Sequence, residues 1–212
     1  SYTYNEPTVF FEYALDTAKE ASKIGILNTF VTNGYLTSEA IDVASKYIQA
    51  MTIGVKGSLN KKFYEKSMSV PDADVVKQTI LELQRKKIHI EITDLLVSKF
   101  GDDLSDVKKF TKWIYSNIGP DTPLHFTKFH PDWKLNDIPS TPVNVIEKAY
   151  SIAKEEGLNY VYVGNILGHP LENTYCPKCN EILIKRESFN VEILNINKKL
   201  CNKCGTKISY IC

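Results

Sequence analysis

The sequence predicts an α/β protein built on parallel strands, followed by a small β ribbon held by a metal. Three observations lead there. Strand-like and helix-like patterns alternate about six times between residues 1 and about 168, which argues a parallel sheet with right-handed crossovers. Each strand-like run stops on polar residues just before a helical pattern opens. Finally, two Cys-x-x-Cys pairs stand together near the carboxyl end. A closed eight-stranded barrel typically needs about 250 residues. The body therefore reads either as an open doubly wound sheet or as an incomplete barrel.

Taken in order, Ser1-Tyr2-Thr3-Tyr4 has strand composition and runs into Asn5-Glu6-Pro7. Residues 8–23 read as a helix with Val9, Phe10, Tyr13, Ala14, Thr17, Ala18 and Ala21 on one stripe, stopped by Gly25. Residues 26–31 form a short strand ending in Thr32-Asn33-Gly34. Thr37 or Ser38 caps the next helix, with Glu39 in its first turn. A strand over 50–55 ends at Lys56, and 57–68 is a polar loop. Asp72 caps a helix that buries Val75, Val76, Thr79, Ile80 and Leu83. A strand over 87–97 alternates Ile88, Ile90 and Ile92 with His89, Glu91 and Thr93. Asp102 or Asp103 starts a helix that ends at Gly119-Pro120. A strand over 124–129 ends at His130-Pro131, and Thr141-Pro142 is a cap followed by proline at the first helical position. The last strand of the body covers 160–163 and ends at Gly164-Asn165. Domains of 1–170 and 171–212 follow.

Bulk composition excludes little but does so clearly. The 212 residues are 43% hydrophobic and 24% charged with a net charge of +1, ordinary values for a globular protein. Nothing in that balance points to nucleic acid or a membrane surface as partner. Arg85 and Arg186 are the only arginines. No apolar run approaches the roughly 20 residues that span a bilayer, and no signal peptide is visible, so a cytoplasmic location is expected. Ser1 reads as a cut edge, because a strand that opens the chain has no element to follow.

Parallel α/β folds gather ligands at the carboxyl ends of their strands. Those ends carry Asn5 and Glu6, then Thr32 and Asn33, Lys56, Lys128 and His130, and Asn165. Any one of these is accounted for by loops being polar. As a set they suit a zwitterionic ligand, with Glu6 on an ammonium, Lys56 on a carboxylate and Thr32 or Asn33 on a ribose hydroxyl. No glycine-rich fingerprint follows a strand, which counts against a dinucleotide cofactor. His130 is a structural or a site residue on equal terms. His89 and His125 lie in strands and read as structural, and His169, in a turn, is open between the two. Phe10, Phe11, Tyr13 and Trp113 at helical spacing read as core.

All five cysteines lie between Cys176 and Cys212. Cys176-Pro-Lys-Cys179, 21 intervening residues, and Cys201-Asn-Lys-Cys204-Gly205 form two knuckles that aim four thiolates at one centre. Four sulfurs in a tetrahedron suit Zn²⁺, with a rubredoxin-like iron as the alternative. Strand-like runs at 182–184 and 191–196 make the ribbon between them. Four thiolates leave no open position, so the metal is structural; such sites supply about 10–16 kcal/mol of apparent folding energy. Cys212 is left over as a bystander.

Tyr2-Thr3-Tyr4-Asn5-Glu6-Pro7-Thr8, Val31-Thr32-Asn33-Gly34-Tyr35, Phe129-His130-Pro131, Tyr160-Val161-Tyr162-Val163-Gly164-Asn165 and Glu172-Asn173-Thr174-Tyr175-Cys176-Pro177-Lys178-Cys179 resemble a radical SAM family. The match is to the pyruvate formate-lyase-activating-enzyme-like proteins of the AmmeMemoRadiSam group and covers essentially the whole chain. The resemblance implies a partial (β/α)6 TIM-like barrel lacking its first strand, plus the C-terminal zinc ribbon. It implies that Asn5-Glu6-Pro7 stands in for a Gly-Gly-Glu motif, with Glu6 on the amino group of S-adenosylmethionine. Thr32 and Asn33 would lie along that cofactor, Lys56 near its carboxylate and His130 on the adenosine side. The implied chemistry is reductive cleavage of S-adenosylmethionine to a 5′-deoxyadenosyl radical.

Two departures from the family bear on activity. The Cys-x3-Cys-x2-Cys loop that holds the [4Fe–4S] cluster in relatives is absent here. Gly54 also stands where relatives usually carry aspartate in Asp-x-Lys. The expectation is a fragment, made by trimming, proteolysis or a split gene, whose parent is a radical SAM enzyme and which alone is inactive. The competing expectations are a catalytically inactive binding or scaffold protein, and an interaction protein whose zinc ribbon acts on a barrel platform. The substrate is open and includes a protein, and a barrel edge left bare invites self-association.

Overall fold

The computed structural model describes residues 1–70, 72–187 and 190–209. The chain divides into two compact units, Ser1–Leu95 and Leu96–Cys212; Cys212 itself lies outside the described residues.

The first unit is a parallel sheet in the order β1 (Thr29–Thr32), β2 (Ala50–Lys56) and β3 (His89–Leu96). Its register sets Thr32 opposite Ile53, Gly54 opposite Thr93 and Val55 opposite Asp94. Period-two alternation buries Met51, Ile53 and Val55 of β2 and Ile90 and Ile92 of β3, and it leaves Thr52, Gly54 and Lys56 half-buried on the other face. Helices α1 (Phe11–Lys23), α2 (Ser38–Ala44), α3 (Lys61–Ser67) and α4 (Asp74–Arg85) connect the strands. α1 buries Ala14, Leu15 and Ala18, and α4 buries Val76, Thr79, Ile80 and Leu83. Each such large aliphatic side chain contributes roughly 1.5–3 kcal/mol of burial.

Three expectations change in this unit. The strand expected at the start shrinks to one parallel bridge, in which Tyr2 N donates to Thr29 O at 2.9 Å and Val31 N donates to Tyr2 O at 3.0 Å. Tyr4, at φ 69°, turns the chain away from β1. The helix expected from residue 8 opens as a 3₁₀ turn, Pro7–Phe10, and becomes α-helical only at Phe11. The tighter 3₁₀ winding puts positions 9 and 10 out of phase with α1. Val9 is therefore 82% exposed, and within α1 the buried stripe runs through Ala14, Leu15 and Ala18, which leaves Tyr13 72% exposed. The loop expected over 57–68 contains a turn, Gly57–Leu59, and helix α3. Asn60 caps α3 by accepting from Phe63 N at 2.9 Å, and Phe63 and Tyr64 are buried.

The second unit carries α5 (Leu104–Asn117), β4 (Leu124–Lys128), α6 (Val143–Glu155) and β5 (Val161–Gly164). β4 and β5 are parallel with His125 opposite Tyr162. Asp103 caps α5 as expected, accepting from Ser105 N at 2.8 Å. Thr141 does not cap α6. Its buried hydroxyl donates to Leu96 O at 2.5 Å and accepts from Phe129 N at 3.3 Å, so Pro142 takes the cap position without a side-chain bond. The ribbon follows as antiparallel β6 (Thr174–Tyr175), β7 (Ile182–Glu187) and β8 (Asn190–Ile193), with β9 (Ile196–Asn197) and β10 (Leu200–Cys201) as a second small pair. No helix among the described residues is long and apolar enough to cross a membrane.

Replacing Thr141 by valine keeps its shape but leaves Leu96 O and Phe129 N without that partner. A loss of about 1–3 kcal/mol is expected, read from the urea midpoint of T141V against the native chain.

Candidate functional site

In the first unit the carboxyl end of β1 is tied to the segment before α1 by one carboxylate. Glu6 Oε1 accepts from the Thr32 hydroxyl at 2.6 Å, and Oε2 accepts from Asn33 N at 2.7 Å. Thr8 N adds a longer bond to Oε1 at 3.4 Å. The Thr32 hydroxyl in turn accepts from Gly34 N at 3.2 Å, and Asn33 Oδ1 accepts from Tyr35 N at 3.0 Å. Only glycine fits at position 34. Its φ is +82°, and a Cβ there would lie 2.9 Å from Val76 Cγ1 and 3.0 Å from Ile53 Cγ2. The tight turn at Gly34 lets Thr32 and Asn33 present their polar groups to Glu6.

Lys56 completes this end of the unit from β2. A methyl group on Gly54 would meet Lys56 Nζ and Thr32 O, each at 3.6 Å. The ammonium and the β1 carbonyl therefore flank the same small space over Gly54. Both distances are ordinary van der Waals contact, so the glycine is a missing side chain and not a steric necessity. Lys56 Nζ reaches Val55 O at 3.4 Å, and burial lowers its pKa.

Directly after Lys56 the backbone turns left-handed at three successive residues, Gly57, Ser58 and Leu59, with φ of 51°, 53° and 57°. Left-handed Ser and Leu cost roughly 1–2 kcal/mol each, and Asp94 holds the turn against that cost. Its fully buried carboxyl accepts from Ser58 N at 3.0 Å and from the Ser58 hydroxyl at 2.7 Å. Burial pushes the Asp94 pKa up to about 6, against the Ser58 bonds and the Lys56 charge, which favour the ionised form. Tyr64 of α3 offers its hydroxyl to Lys56 N at 3.1 Å. Sequence reading passed over Ser58, Tyr64 and Asp94. The signal was a carboxylate in phase with Ile90 and Ile92, at a position that alternation assigns to the core.

The other strand-end residues fall differently. Asn5 is exposed. His130 is exposed and belongs to the second unit. Asn165, at φ 60°, donates to Lys128 O at 3.0 Å and so ties the ends of β5 and β4. His169 has a structural part. Its Nδ1 accepts from Leu171 N at 3.2 Å, which leaves Nε2–H to face Glu147 Oε1 at 3.2 Å. His125 stacks on Tyr162 with ring centres 4.8 Å apart. Trp113 stacks on Phe110, whereas Tyr13 is not core.

The four knuckle cysteines converge. Their sulfurs all lie within 4.8 Å of one another, with Cys176–Cys204 at 3.6 Å and Cys179–Cys201 at 3.7 Å. A tetrahedron of sulfurs about 2.3 Å from a central zinc has edges of about 3.8 Å, close to those two separations, so the set is able to hold a metal ion. The Thr206 hydroxyl and backbone N–H favour the Cys204 thiolate and lower its pKa. Cys176 and Cys201 are buried in one apolar cluster with Tyr160, Tyr162, Leu183 and Ile208, while Cys179 and Cys204 are half-buried.

No protein-family model matches the chain. An uncharacterized protein of Methanocaldococcus jannaschii is 41% identical over 213 residues, covering 100% of this chain and 62% of that protein. The chain thus spans less than two thirds of that relative's length. Among solved structures, a domain of pyruvate-formate lyase-activating enzyme from Bacteroides vulgatus matches with a TM-score of 0.67 at 16% identity, over 77% of this chain and 97% of that domain. A radical SAM methyltransferase from Sphaerobacter thermophilus matches with a TM-score of 0.58 at 12% identity, over 75% of this chain and 48% of that one. These likenesses establish a mixed α/β fold of the radical SAM-like kind.

Two outcomes follow from this geometry. The folded pKa of Asp94 lies above its ordinary 3.8, so the folded state keeps this proton longer than the unfolded one. Stability from this group is full below about pH 4 and declines as pH rises through about 6, by about 3 kcal/mol for a shift of about two units. Asp94→Asn is expected to flatten that decline in urea midpoints taken from pH 4 to 7.5. Elemental analysis is expected to find one metal ion per chain, and a strong chelator or Cys201→Ser to lower the melting temperature.

Proposed function

We propose that this chain is the S-adenosylmethionine-holding part of a radical SAM protein, of the pyruvate formate-lyase-activating-enzyme-like type and the AmmeMemoRadiSam group. The observation that carries the reading is the Glu6 carboxylate, set by Thr32 and Asn33 at the carboxyl end of β1 in a fold of the radical SAM-like kind. A carboxylate has about four acceptor sites, so Glu6 can keep these two partners and still take the cofactor's ammonium. Lys56, flanking the space over Gly54, receives the methionyl carboxylate, whose charge favours the ammonium form that burial disfavours. Asn5, Thr32 and Asn33 line the cofactor. In this reading residues 1–170 are the barrel part and 171–212 the metal module, with Zn²⁺ as the structural ion of Cys176, Cys179, Cys201 and Cys204.

The residues present do not fit a [4Fe–4S] cluster at the Glu6 site. No cysteine precedes Cys176, and four of the five form the separate centre. No step through a cluster is assigned to this chain. The activity proposed for the longer protein is reductive cleavage of S-adenosylmethionine, with cluster ligands that this chain does not supply. The same missing cysteines, together with Gly54, favour a second reading, a catalytically inactive binding or scaffold protein.

Calorimetric titration of the metal-loaded chain with S-adenosylmethionine tests the binding claim. Saturable binding is expected. Glu6→Gln and Lys56→Met are each expected to weaken it at least about tenfold, or about 1.4 kcal/mol. No binding by a folded chain would falsify the reading. Anaerobic reconstitution of the longer protein then separates the two alternatives. Formation of 5′-deoxyadenosine supports the enzyme, and bound cofactor without it supports the scaffold.

A further inference from the structure

A cavity of about 200 Å³ lies wholly within the second unit and is lined by His125, Tyr162, Val163, Glu172 and Arg186. None of these residues belongs to the strand-end cluster or to the four-cysteine centre. Their arrangement is built rather than incidental. The β4–β5 register sets His125 opposite Tyr162, and the two rings stack 4.8 Å apart at 22°. Arg186 comes from β7. Its Nη1 donates to the Thr174 hydroxyl at 2.8 Å and to Glu172 O at 3.1 Å, and its guanidinium carbon lies 5.4 Å from the centre of the Tyr162 ring. Asn173 Oδ1 fixes the Arg186 backbone by accepting its N–H at 2.6 Å, and the Tyr162 and Thr174 hydroxyls share a bond at 3.1 Å.

Against this network one atom stands out. Glu172 Oε2 is buried and has no hydrogen-bond partner among the described residues. A buried polar atom without a partner costs about 1–3 kcal/mol, more for a charged group, and such atoms mark bound ligands or ions often enough to require an account. The bonds of Arg186 use one of its guanidinium nitrogens, so the fork keeps donors for a planar anion. The cavity therefore combines an acceptor-only carboxylate, a donor-only guanidinium and a stacked aromatic wall. Its volume of about 200 Å³ is large enough for a small organic molecule.

We propose that this cavity binds a small zwitterion of the free amino-acid type. The ligand's ammonium pairs with the Glu172 carboxylate on the cavity wall, its carboxylate meets the Arg186 fork, and its side chain lies against His125 and Tyr162. The metal ribbon gains a function by this arrangement. β7 carries Arg186 between the two cysteine knuckles, and Leu183 of β7 is buried in one cluster with Cys176 and Cys201. The metal holds in place the strand that delivers the ligand's anion partner. The proposal does not depend on the S-adenosylmethionine reading.

The test begins with saturation-transfer NMR of the free proteinogenic L-amino acids on the metal-loaded full chain. Transfer to at least one is expected. For that amino acid, calorimetry is expected to show at least tenfold weaker binding of its N-acetyl derivative and of its decarboxylated amine. Arg186→Gln and Glu172→Gln are each expected to abolish binding with the circular dichroism spectrum unchanged. No transfer from a folded chain overturns the proposal, as do analogues that bind equally well or binding that survives both substitutions. Binding that S-adenosylmethionine displaces and Glu6→Gln removes places the amino acid at the strand-end cluster, and that also overturns it. Should either variant fail to fold, the analogue series on the native chain decides alone.

Discussion

A strand presents successive side chains to opposite faces, and in β2 and β3 that alternation decides where Lys56 and Asp94 go. Ile53 and Val55 are committed to the core, which forces Gly54 and Lys56 onto the other face. The same rule applied to β3 drives Asp94 into the buried set with Ile90 and Ile92. A carboxylate cannot stay there without donors. Ser58 supplies two, from its backbone and its hydroxyl, and must adopt a left-handed backbone to do so. The conformation of the segment after Lys56 is thus a consequence of strand phase two strands' length away in sequence. If the phase slipped by one residue, Asp94 would face the half-buried side and the turn would lose its anchor.

The ribbon works on a different principle. β8 has every described side chain exposed, and β9 and β10 are two residues each. Strands this short and this wet bury too little to hold themselves. Four sulfurs within 4.8 Å of one another supply the missing constraint by tying residues on both sides of β7 to one centre. That rigidity carries Arg186, one of only two arginines in the chain, to its place over Tyr162. The four-cysteine set and the polar cavity in this way share β7.

Legibility in the sequence tracked how local each determinant is. The helix starts at Thr37 and Asp103 and the four-cysteine set could be read directly, because a cap or a knuckle is decided within a few residues. Thr37 accepts from Ala40 N, three positions away. Thr141 has the same residue type and the same following proline that signal a cap. Its hydroxyl is instead taken by Leu96 O, 45 residues distant, and no local rule sees that competitor. Val9 was misplaced because a short 3₁₀ turn shifts the phase before Phe11, and Tyr13 because the buried stripe of α1 runs through Ala14, Leu15 and Ala18. Asn60 and Phe63 did announce α3, but the surrounding lysines made the stretch read as solvent.

By itself, the sequence determined the α/β class with its parallel strands and the four cysteines able to hold a metal ion. Periodicity and short spacing carry that information. Tertiary structure alone decided which partners the polar side chains keep. It set Glu6 on Thr32 and Asn33 across 26 and 27 residues, placed Asp94 under Ser58, and left Glu172 Oε2 facing no donor. The physical reason is that hydrogen bonds and burial are settled by distance in space, and strand pairing brings together residues whose separation along the chain gives no sign of it.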